Sequence, residues 1–205
     1  MDIETATTNA PQQGRSKLTY EKLMRSTGLL LARDGIEKIS TNAIVKHAEL
    51  TPLAFYRYFS SKYDILEALT RRLMDEQNQI IVDMVAGERQ AAPPNFSTEQ
   101  IEYLIFRTIK VTEAFTGGPW VMRSLRAVPA LDKVRLESHD KMASLLADDV
   151  VTLFPELVYD VIYRQTRLAI DIGYAMIELA FDEPDLDRQA LVKDTANAIT
   201  SFAAW

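Results

Sequence analysis

Residues 51–62 read TPLAFYRYFSSK and place four aromatic and two cationic side chains in one short stretch. Thr51 is a favourable N-cap, and Pro52 suits the first helical position, where its missing N–H removes no hydrogen bond. We therefore predict a short helix that starts at Pro52. Phe55 and Phe59 are four residues apart and share one face of this helix, so we expect both in the hydrophobic core.

The residues before this stretch predict two further helices. Apolar residues at three- and four-residue steps indicate a first helix over 19–34, and Gly35 is placed to end it in a left-handed conformation. Ser40 or Thr41 can cap a second helix of about two turns. Two short helices joined by a tight turn form a helix-turn-helix arrangement.

The remaining side chains of the third helix cannot lie on its inward face and must point into solvent or a groove. Small, apolar and cationic groups at the start of an exposed helix suit contact with base edges, because the major groove of DNA admits one helix. Tyrosine hydroxyls and a lysine beside the next helix N-terminus suit phosphate oxygens. The candidate DNA-binding residues are Thr41, Thr51, Pro52, Leu53, Ala54, Tyr56, Arg57, Tyr58 and Lys62.

The spacing of these residues resembles the tetracycline-repressor-like (TetR) family of transcriptional regulators. The similarity covers about 23–69, and its most specific part is T-x-x-x-x-Y-x-x-F-x-x-K followed by Ile65 and Leu66. The family usually has glycine in the turn, where this chain has Glu49, so a non-glycine residue is expected in the left-handed conformation. Val45 also stands where the family has alanine. The resemblance implies a double-stranded DNA operator, a small-molecule effector and a homodimer as partners.

Composition and charge restrict the class of protein. The chain has 205 residues, no cysteine and two distant histidines, His47 and His139, so we expect neither disulfides nor a metal site, and no cofactor. No apolar run approaches the roughly 18 residues of a membrane span, and we expect a cytoplasmic protein without membrane contact. The net charge is −6, yet residues 15–62 carry nine Lys/Arg against four Asp/Glu. A basic front end on an acidic body favours contact of one surface with phosphates.

The whole chain is predicted to be all-α, because Gly and Pro are scarce and apolar residues recur with helical spacing. Ser61 and Asp64 fit a capping box that opens a long fourth helix. Five further helices are expected near 98–115, 119–127, 130–153, 156–181 and 185–203. The predicted organisation is a disordered tail over 1–14, a helix-turn-helix DNA-binding domain over 15–62, a connecting helix over 63–86, a linker over 87–97 and a helical ligand-binding and dimerisation domain over 98–205.

The last two helices carry small residues, Gly173 and Ala196 among them, between large apolar ones. Such faces favour a four-helix bundle shared by two subunits, and packing within one chain is the alternative. An effector site is predicted from aromatic and methionine residues, each of which alone also suits an ordinary core. These ligand-binding candidates are Phe106, Phe115, Trp120, Met122, Met142, Tyr159, Tyr163 and Tyr174, and the arginines that can bind a carboxylate or face solvent are Arg107, Arg123 and Arg126.

An enzyme is the competing class. Asp171 and Glu178 lie on one helix face and can form a paired-carboxylate site or simply be solvated. The sequence shows no nucleophile–base constellation, no glycine-rich phosphate loop and no Glu-x-x-His pair, so we expect no enzyme. We expect a ligand-responsive regulator, a repressor that an apolar or amphipathic molecule releases from DNA. The alternative function is an all-helical carrier of hydrophobic small molecules.

Overall fold

A computed structural model describes residues 14–88 and 96–203 of the chain. Within these ranges all regular elements are helices, which confirms the all-α prediction. Two short 3₁₀ turns, Ile36–Lys38 and Pro129–Leu131, join helices. The α-helices of the described residues are α1 (Gly14–Asp34), α2 (Thr41–His47), α3 (Pro52–Tyr56), α4 (Lys62–Glu88), α5 (Thr98–Ala114), α6 (Gly118–Ala127), α7 (Asp132–Leu153), α8 (Tyr159–Asp182) and α9 (Arg188–Phe202).

The observed helices occur in the predicted order and differ at their ends. Gly14, expected in the tail, is the first residue of α1, and residues 87 and 88, expected in the linker, belong to α4. α9 begins three residues later than predicted because the side chain of Asp187 caps it, accepting hydrogen bonds from the backbone N–H groups of Gln189 and Ala190. The rest of the predicted tail and residues 89–95 of the predicted linker lie outside the described residues.

Side-chain caps define where the short helices begin. Ser40 Oγ accepts a hydrogen bond from Ala43 N, and Thr51 Oγ1 accepts one from Ala54 N, each at 3.2 Å. Ser61 Oγ accepts the N–H of Asp64 at 3.3 Å and donates to its carboxylate at 2.9 Å, so the capping box of α4 forms as predicted. Each cap of this kind stabilises a helix start by about 1 kcal/mol.

The described chain folds into two compact units. The first unit contains the described residues up to Arg72 together with Phe115–Leu131. The second unit contains the described residues of Leu73–Ala114 and the described residues from Asp132 onward. This corrects the predicted single C-terminal domain over 98–205, because α6 belongs to the first unit, where it packs on α1. A domain boundary predicted from a linker cannot reveal that a later segment of the chain packs in an earlier unit.

Each unit has its own apolar core. In the first unit the fully buried side chains include Leu23, Leu31, Ile44, Phe55 and Phe59. In the second unit they include Leu73, Met74 and Ile109, and α8 packs on α7 and α9. Among the described residues, no helix combines the length and the apolar composition needed to cross a membrane.

Candidate DNA-binding surface and ligand cavity

The turn between α2 and α3 is closed by backbone contacts. Leu50 N donates to Val45 O at 2.9 Å, and Glu49 adopts a φ of 53°. This confirms the expected left-handed residue, which costs about 1–2 kcal/mol relative to glycine. Since the turn closes despite this cost, the packing of the two helices must supply the compensating stability.

Two phenylalanines fix the orientation of α3. Phe55 is 0% exposed, and its ring centroid lies 5.6 Å from that of the buried Phe59. Tyr20 of α1 packs on Phe59 with ring centroids 5.3 Å apart. With this face held in the core, the opposite face of α3 must point into solvent.

Five of the nine candidate DNA-binding residues are exposed. Leu53 is 82% exposed on the side of α3 away from Phe55, and Tyr56 is 58% exposed beside the Phe55 ring, with ring centroids 5.5 Å apart. Thr41 and Ala54 are partly buried at the starts of α2 and α3. The exposed members of the candidate set are Thr51, Pro52, Leu53, Tyr56 and Arg57. We call these five residues the α3 surface.

Tyr58 and Lys62, the other two candidates, make contacts inside the first unit. The hydroxyl of Tyr58 donates to Ser16 O at 3.1 Å and lies 2.8 Å from Ser16 Oγ, which ties the start of α1 to the end of α3. Lys62 Nζ donates to Ile39 O at 3.1 Å. Both side chains therefore have a structural role that the spacing pattern did not reveal.

The structure also exposes polar residues on α2 that sequence reasoning missed. Asn42, Lys46 and His47 are exposed there, and Lys38 is exposed in the preceding 3₁₀ turn. These positions alternate with the buried side chains of α2, so the helical period alone was sufficient to find them.

The second unit contains a partly open cavity of about 100 Å³. Aliphatic side chains of α4, α5, α7, α8 and α9 form most of its wall, and no Asp, Glu, Lys, Arg or His side chain lines it. Gly173 contributes to the wall without a side chain, and a Cβ added there would have no neighbouring atom within 4 Å. The cavity therefore extends up to the backbone of α8.

Polar groups lie at one part of the cavity wall. Tyr174 Oη donates to Gln77 Oε1 at 3.1 Å, and Gln77 Nε2 donates to Thr112 Oγ1 at 2.7 Å. Burial raises the pKa of Tyr174, so its phenol stays protonated. This chain of side chains connects α8, α4 and α5 beside the cavity.

Tyr174 is the single member of the predicted ligand set that lines the cavity. Met142 is buried in the second unit, whereas Phe106 and Tyr159 are exposed, and Tyr163 donates a hydrogen bond to Asp140 at 2.5 Å. The other three predicted residues, Phe115, Trp120 and Met122, belong to the first unit. The predicted set and the cavity wall therefore share one residue, since helical spacing shows which residues are apolar and not which helices share a unit.

The three arginines of the prediction also lie away from the cavity. The guanidinium of Arg123 lies 4.7 Å from the ring centroid of Trp120, and that of Arg107 lies 5.7 Å from the ring centroid of Tyr103. Arg126 is exposed on α6. None of these three arginines lines the cavity of the second unit.

Asp171, considered above for a paired-carboxylate site, contacts two nitrogen groups. His139 Nδ1 lies 2.7 Å from Asp171 Oδ1, and Arg167 Nε lies 2.9 Å from Asp171 Oδ2. Burial alone would raise the pKa of the Asp171 carboxyl, but the hydrogen bonds from Arg167 and His139 lower it below its usual value. The carboxylate is thus ionised and neutralised locally, which is unlike a proton-sharing pair of carboxyls.

His139 is buried beside the polar end of the cavity. Its ring stacks on Tyr174 with centroids 4.4 Å apart, and burial lowers its pKa more than the bond to Asp171 raises it. The imidazole is therefore neutral, with Nδ1–H donating to Asp171. Among the described residues, no group of three or more His, Asp and Glu side chains is arranged to hold a metal ion.

Comparisons with known proteins agree with the geometry of the first unit. The profile described as "Bacterial regulatory proteins, tetR family" matches residues 23–69. The uncharacterized HTH-type transcriptional regulator YvdT of Bacillus subtilis (strain 168) is 31% identical over 103 residues. This match covers 50% of the chain and spans about half the length (49%) of that curated relative.

Solved structures share the fold of the chain over most of its length. SmeT, the repressor of the Stenotrophomonas maltophilia multidrug efflux pump SmeDEF, is similar with a TM-score of 0.70 at 12% identity, over 92% of this chain and 91% of SmeT. The transcriptional regulator FadR from Bacillus subtilis, solved in complex with stearoyl-CoA, has a TM-score of 0.64 at 14% identity, over 89% of this chain and 98% of FadR. At these identities the similarity shows a common fold.

Proposed function

We propose that this chain is a transcriptional regulator of the tetR family of bacterial regulatory proteins, whose profile matches residues 23–69, and that its α3 surface binds operator DNA. The observation that carries the proposal is the exposure of Leu53 on α3 and of Arg57 at its C-cap, while Phe55 of the same helix is buried in the core. An apolar side chain left in water at such a position favours an interface.

The chemistry of the α3 surface suits the major groove. Leu53 can contact a thymine methyl group, and the guanidinium of Arg57 can donate two hydrogen bonds to the O6 and N7 atoms of guanine. Lys38 and Lys46 are exposed nearby in the sequence and can neutralise phosphates. The surface thus offers groups for base reading and groups for positioning.

A second copy of the chain is the proposed partner of the outer face of α8. Val161, Leu168 and Leu179 are exposed there, at spacings that place them on one side of the helix. Gly173 and Ala196, from which the subunit contact was predicted, are instead buried within their own unit. We therefore shift the proposed dimer contact to these three side chains. A two-fold dimer matches two half-sites of a near-palindromic operator.

The effector is proposed to occupy the cavity of the second unit and to weaken operator binding, which would make the protein a repressor. SmeT is by its name a repressor, and FadR was solved with a bound acyl-CoA, so proteins of this fold provide precedents for both parts of the proposal. A ligand can change operator affinity only by the difference in its own affinity for the two states of the protein, typically about 1–3 kcal/mol. Operator DNA must then weaken ligand binding by the same factor.

The cavity also favours the alternative function, a carrier of hydrophobic small molecules. A carrier would bind ligand but would have no affinity for DNA beyond what its net charge allows. The α3 surface therefore separates the two functions. Its basic surroundings belong to a chain of net charge −6, which would otherwise repel DNA.

A mobility-shift assay against duplex from the gene's own upstream region tests the proposal. The wild-type protein should shift one fragment at low protein concentration, and Arg57→Ala should reduce this affinity. Arg33→Ala is the matched control, because Arg33 is an exposed arginine of the same unit that pairs with Asp34. Equal affinity of all three proteins for specific and random duplex would refute the regulator and favour the carrier.

A further inference from the structure

The cavity wall leaves only some of its hydrogen-bonding groups available to a ligand. Three hydroxyls line it, from Thr108, Thr166 and Tyr174. Thr108 donates its hydrogen to Leu104 O at 2.8 Å. Thr166 Oγ1 donates to backbone carbonyls, among them Ile162 O at 3.0 Å.

The third hydroxyl is engaged in the same way. Tyr174 donates to Gln77 Oε1, and Gln77 Nε2 donates in turn to Thr112. All three hydroxyl hydrogens of the wall are therefore used by the protein, and the lone pairs of their oxygens remain as acceptors. A ligand that donates a hydrogen bond can be satisfied by these hydroxyls, whereas a ligand that only accepts a hydrogen bond finds no donor among them.

The wall also lacks any group that would compensate an ionic ligand. No charged side chain lines the cavity, and apart from the three hydroxyl-bearing residues, Gln77 and Phe96 the side chains of the wall are aliphatic. Moving a carboxylate or an ammonium group from water into such surroundings without a counter-charge is strongly unfavourable. Since the phenol of Tyr174 stays protonated, it supplies no negative charge either.

The volume limits the size of the ligand. A cavity of about 100 Å³ is somewhat smaller than an engineered apolar cavity of about 150 Å³ that binds benzene. The part of a ligand that lies inside the cavity is therefore about the size of one small ring or a short branched chain.

We propose that this cavity selects a compact neutral molecule that carries a hydroxyl or similar donor, that Tyr174 accepts the hydrogen bond from that donor, and that acceptor-only and charged molecules of the same size are rejected. The proposal names the ligand class of the effector site and rests on the proposed function only for the consequence of binding at the operator. The selectivity for the ligand depends only on the cavity and not on operator binding.

Matched one-ring probes test the selectivity on the full chain by calorimetric titration without DNA. Benzyl alcohol and anisole are isomers that differ in having or lacking a donor, and benzoate and benzylammonium add a charge of either sign. One net hydrogen bond corresponds to about a fivefold difference, so benzyl alcohol should bind about fivefold tighter than anisole. The two ions should show no binding. Anisole or benzoate binding as tightly as benzyl alcohol would overturn the proposal.

Two substitutions locate the effect. Gly173→Leu places a side chain in the open space of the cavity and should abolish binding of both isomers, while Gly173→Ala should reduce it less. Tyr174→Phe keeps the ring that stacks on His139 and removes the accepting oxygen, so the preference for benzyl alcohol over anisole should fall to about one. An unchanged preference in Tyr174→Phe would overturn the role of Tyr174, and unchanged binding in a folded Gly173→Leu variant would show that the probes bind elsewhere.

The selectivity of the cavity and its role as an effector site are tested separately. If benzyl alcohol binds selectively but leaves the mobility shift unchanged at saturation, the cavity assignment stands and the effector role in the proposed function is wrong. If the protein binds operator normally but shows no selectivity among the probes, the inference about the cavity alone is wrong. Arg57→Ala should bind the probes like wild type, since the α3 surface belongs to the other unit.

Discussion

Gly28 of α1 and Gly117, which precedes α6, meet backbone against backbone, with no room for a Cβ on either residue. A Cβ on Gly117 would collide with the carbonyl oxygen of Gly28, and one on Gly28 would collide with the carbonyl oxygen of Thr116. Gly117 also has a φ of 74°, in the left-handed region. This contact explains why α6 belongs to the first unit.

Gly28→Ala should therefore destabilise the first unit. Overpacking against backbone atoms costs about 1–3 kcal/mol, and the gain in helix propensity offsets less than about 1 kcal/mol of it. Calorimetric unfolding should show a lower melting temperature than wild type. Gly173→Ala is the matched control within a helix, and it should melt at or above the wild-type temperature because its Cβ enters open space. Equal stability of Gly28→Ala and wild type would contradict the close contact.

Arg57→Ala should weaken operator binding and relax sequence preference by about 1–3 kcal/mol, because a bidentate contact to one base pair is lost. Mobility shifts against the preferred duplex and against single base-pair variants measure both effects. Arg33→Ala should leave both unchanged. If Arg57→Ala instead weakened all duplexes equally, Arg57 would contact phosphate rather than a base.

Tyr58→Phe should loosen the start of α1 without disturbing the core. The substitution removes the hydroxyl that donates to Ser16 O and keeps the ring beside Tyr20 and Phe59. We expect a loss of about 1 kcal/mol and faster hydrogen exchange in the first turns of α1. Tyr56→Phe, at an exposed hydroxyl of the same segment, is the control and should exchange like wild type.

Stability should decrease as the pH falls below about 6.5, the unfolded pKa of histidine. Burial lowers the pKa of His139 in the folded state, so the unfolded chain binds the proton at a higher pH than the folded chain does. Binding of this proton stabilises the unfolded state relative to the folded state. The free energy of unfolding should fall by up to about 1.4 kcal/mol per pH unit until the folded pKa is passed. The charged groups that act on the ring are Asp171 and Arg167 of α8 and Arg135 of α7.

Denaturant unfolding between pH 5 and 7.5 measures this slope. His139→Phe should flatten it, whatever its effect on absolute stability, because the titrating ring is gone. His47→Gln, which replaces an exposed histidine, should keep the wild-type slope. A slope that persists in His139→Phe would assign the pH dependence to other groups. The lowered pKa of Asp171 contributes separately, with stability lost only at pH values below the ordinary carboxyl range.

Leu168→Arg should separate the proposed dimer. Leu168 is 49% exposed on the outer face of α8, so arginine is tolerated in the monomer but leaves a charge buried in a subunit contact. Light scattering should give about twice the 23.2 kDa chain mass for wild type and the single chain mass for the variant. Leu153→Arg, at an equally exposed leucine of α7, should remain dimeric. A monomeric wild type would refute the proposed contact.

The helix-turn-helix could be predicted from local sequence signals alone. Ser40, Thr51 and Pro52 specify helix starts through contacts within three residues, and the four-residue spacing of Phe55 and Phe59 specifies the buried face. The left-handed conformation of Glu49 was expected from the resemblance to the family, which usually has glycine at this position. Such signals are readable because the interacting groups are neighbours in the chain.

The cavity could not be predicted in the same way. Phe115, Trp120 and Met122 have the right residue types, but the contact between Gly28 and Gly117 assigns them to the first unit. Tyr58 and Lys62 matched a DNA-binding pattern, and their partners Ser16 and Ile39 lie 42 and 23 residues away.

Helix positions, the buried face of α3 and the basic front end thus follow from the order of residues, because propensity, capping and periodicity act over a few residues. The cavity, the acceptor character of its wall and the outer face of α8 depend on how five helices pack. Gln77 and Tyr174 are 97 residues apart and meet at 3.1 Å. No local pattern encodes such a contact, since it depends on the sum of many weak packing interactions across the second unit.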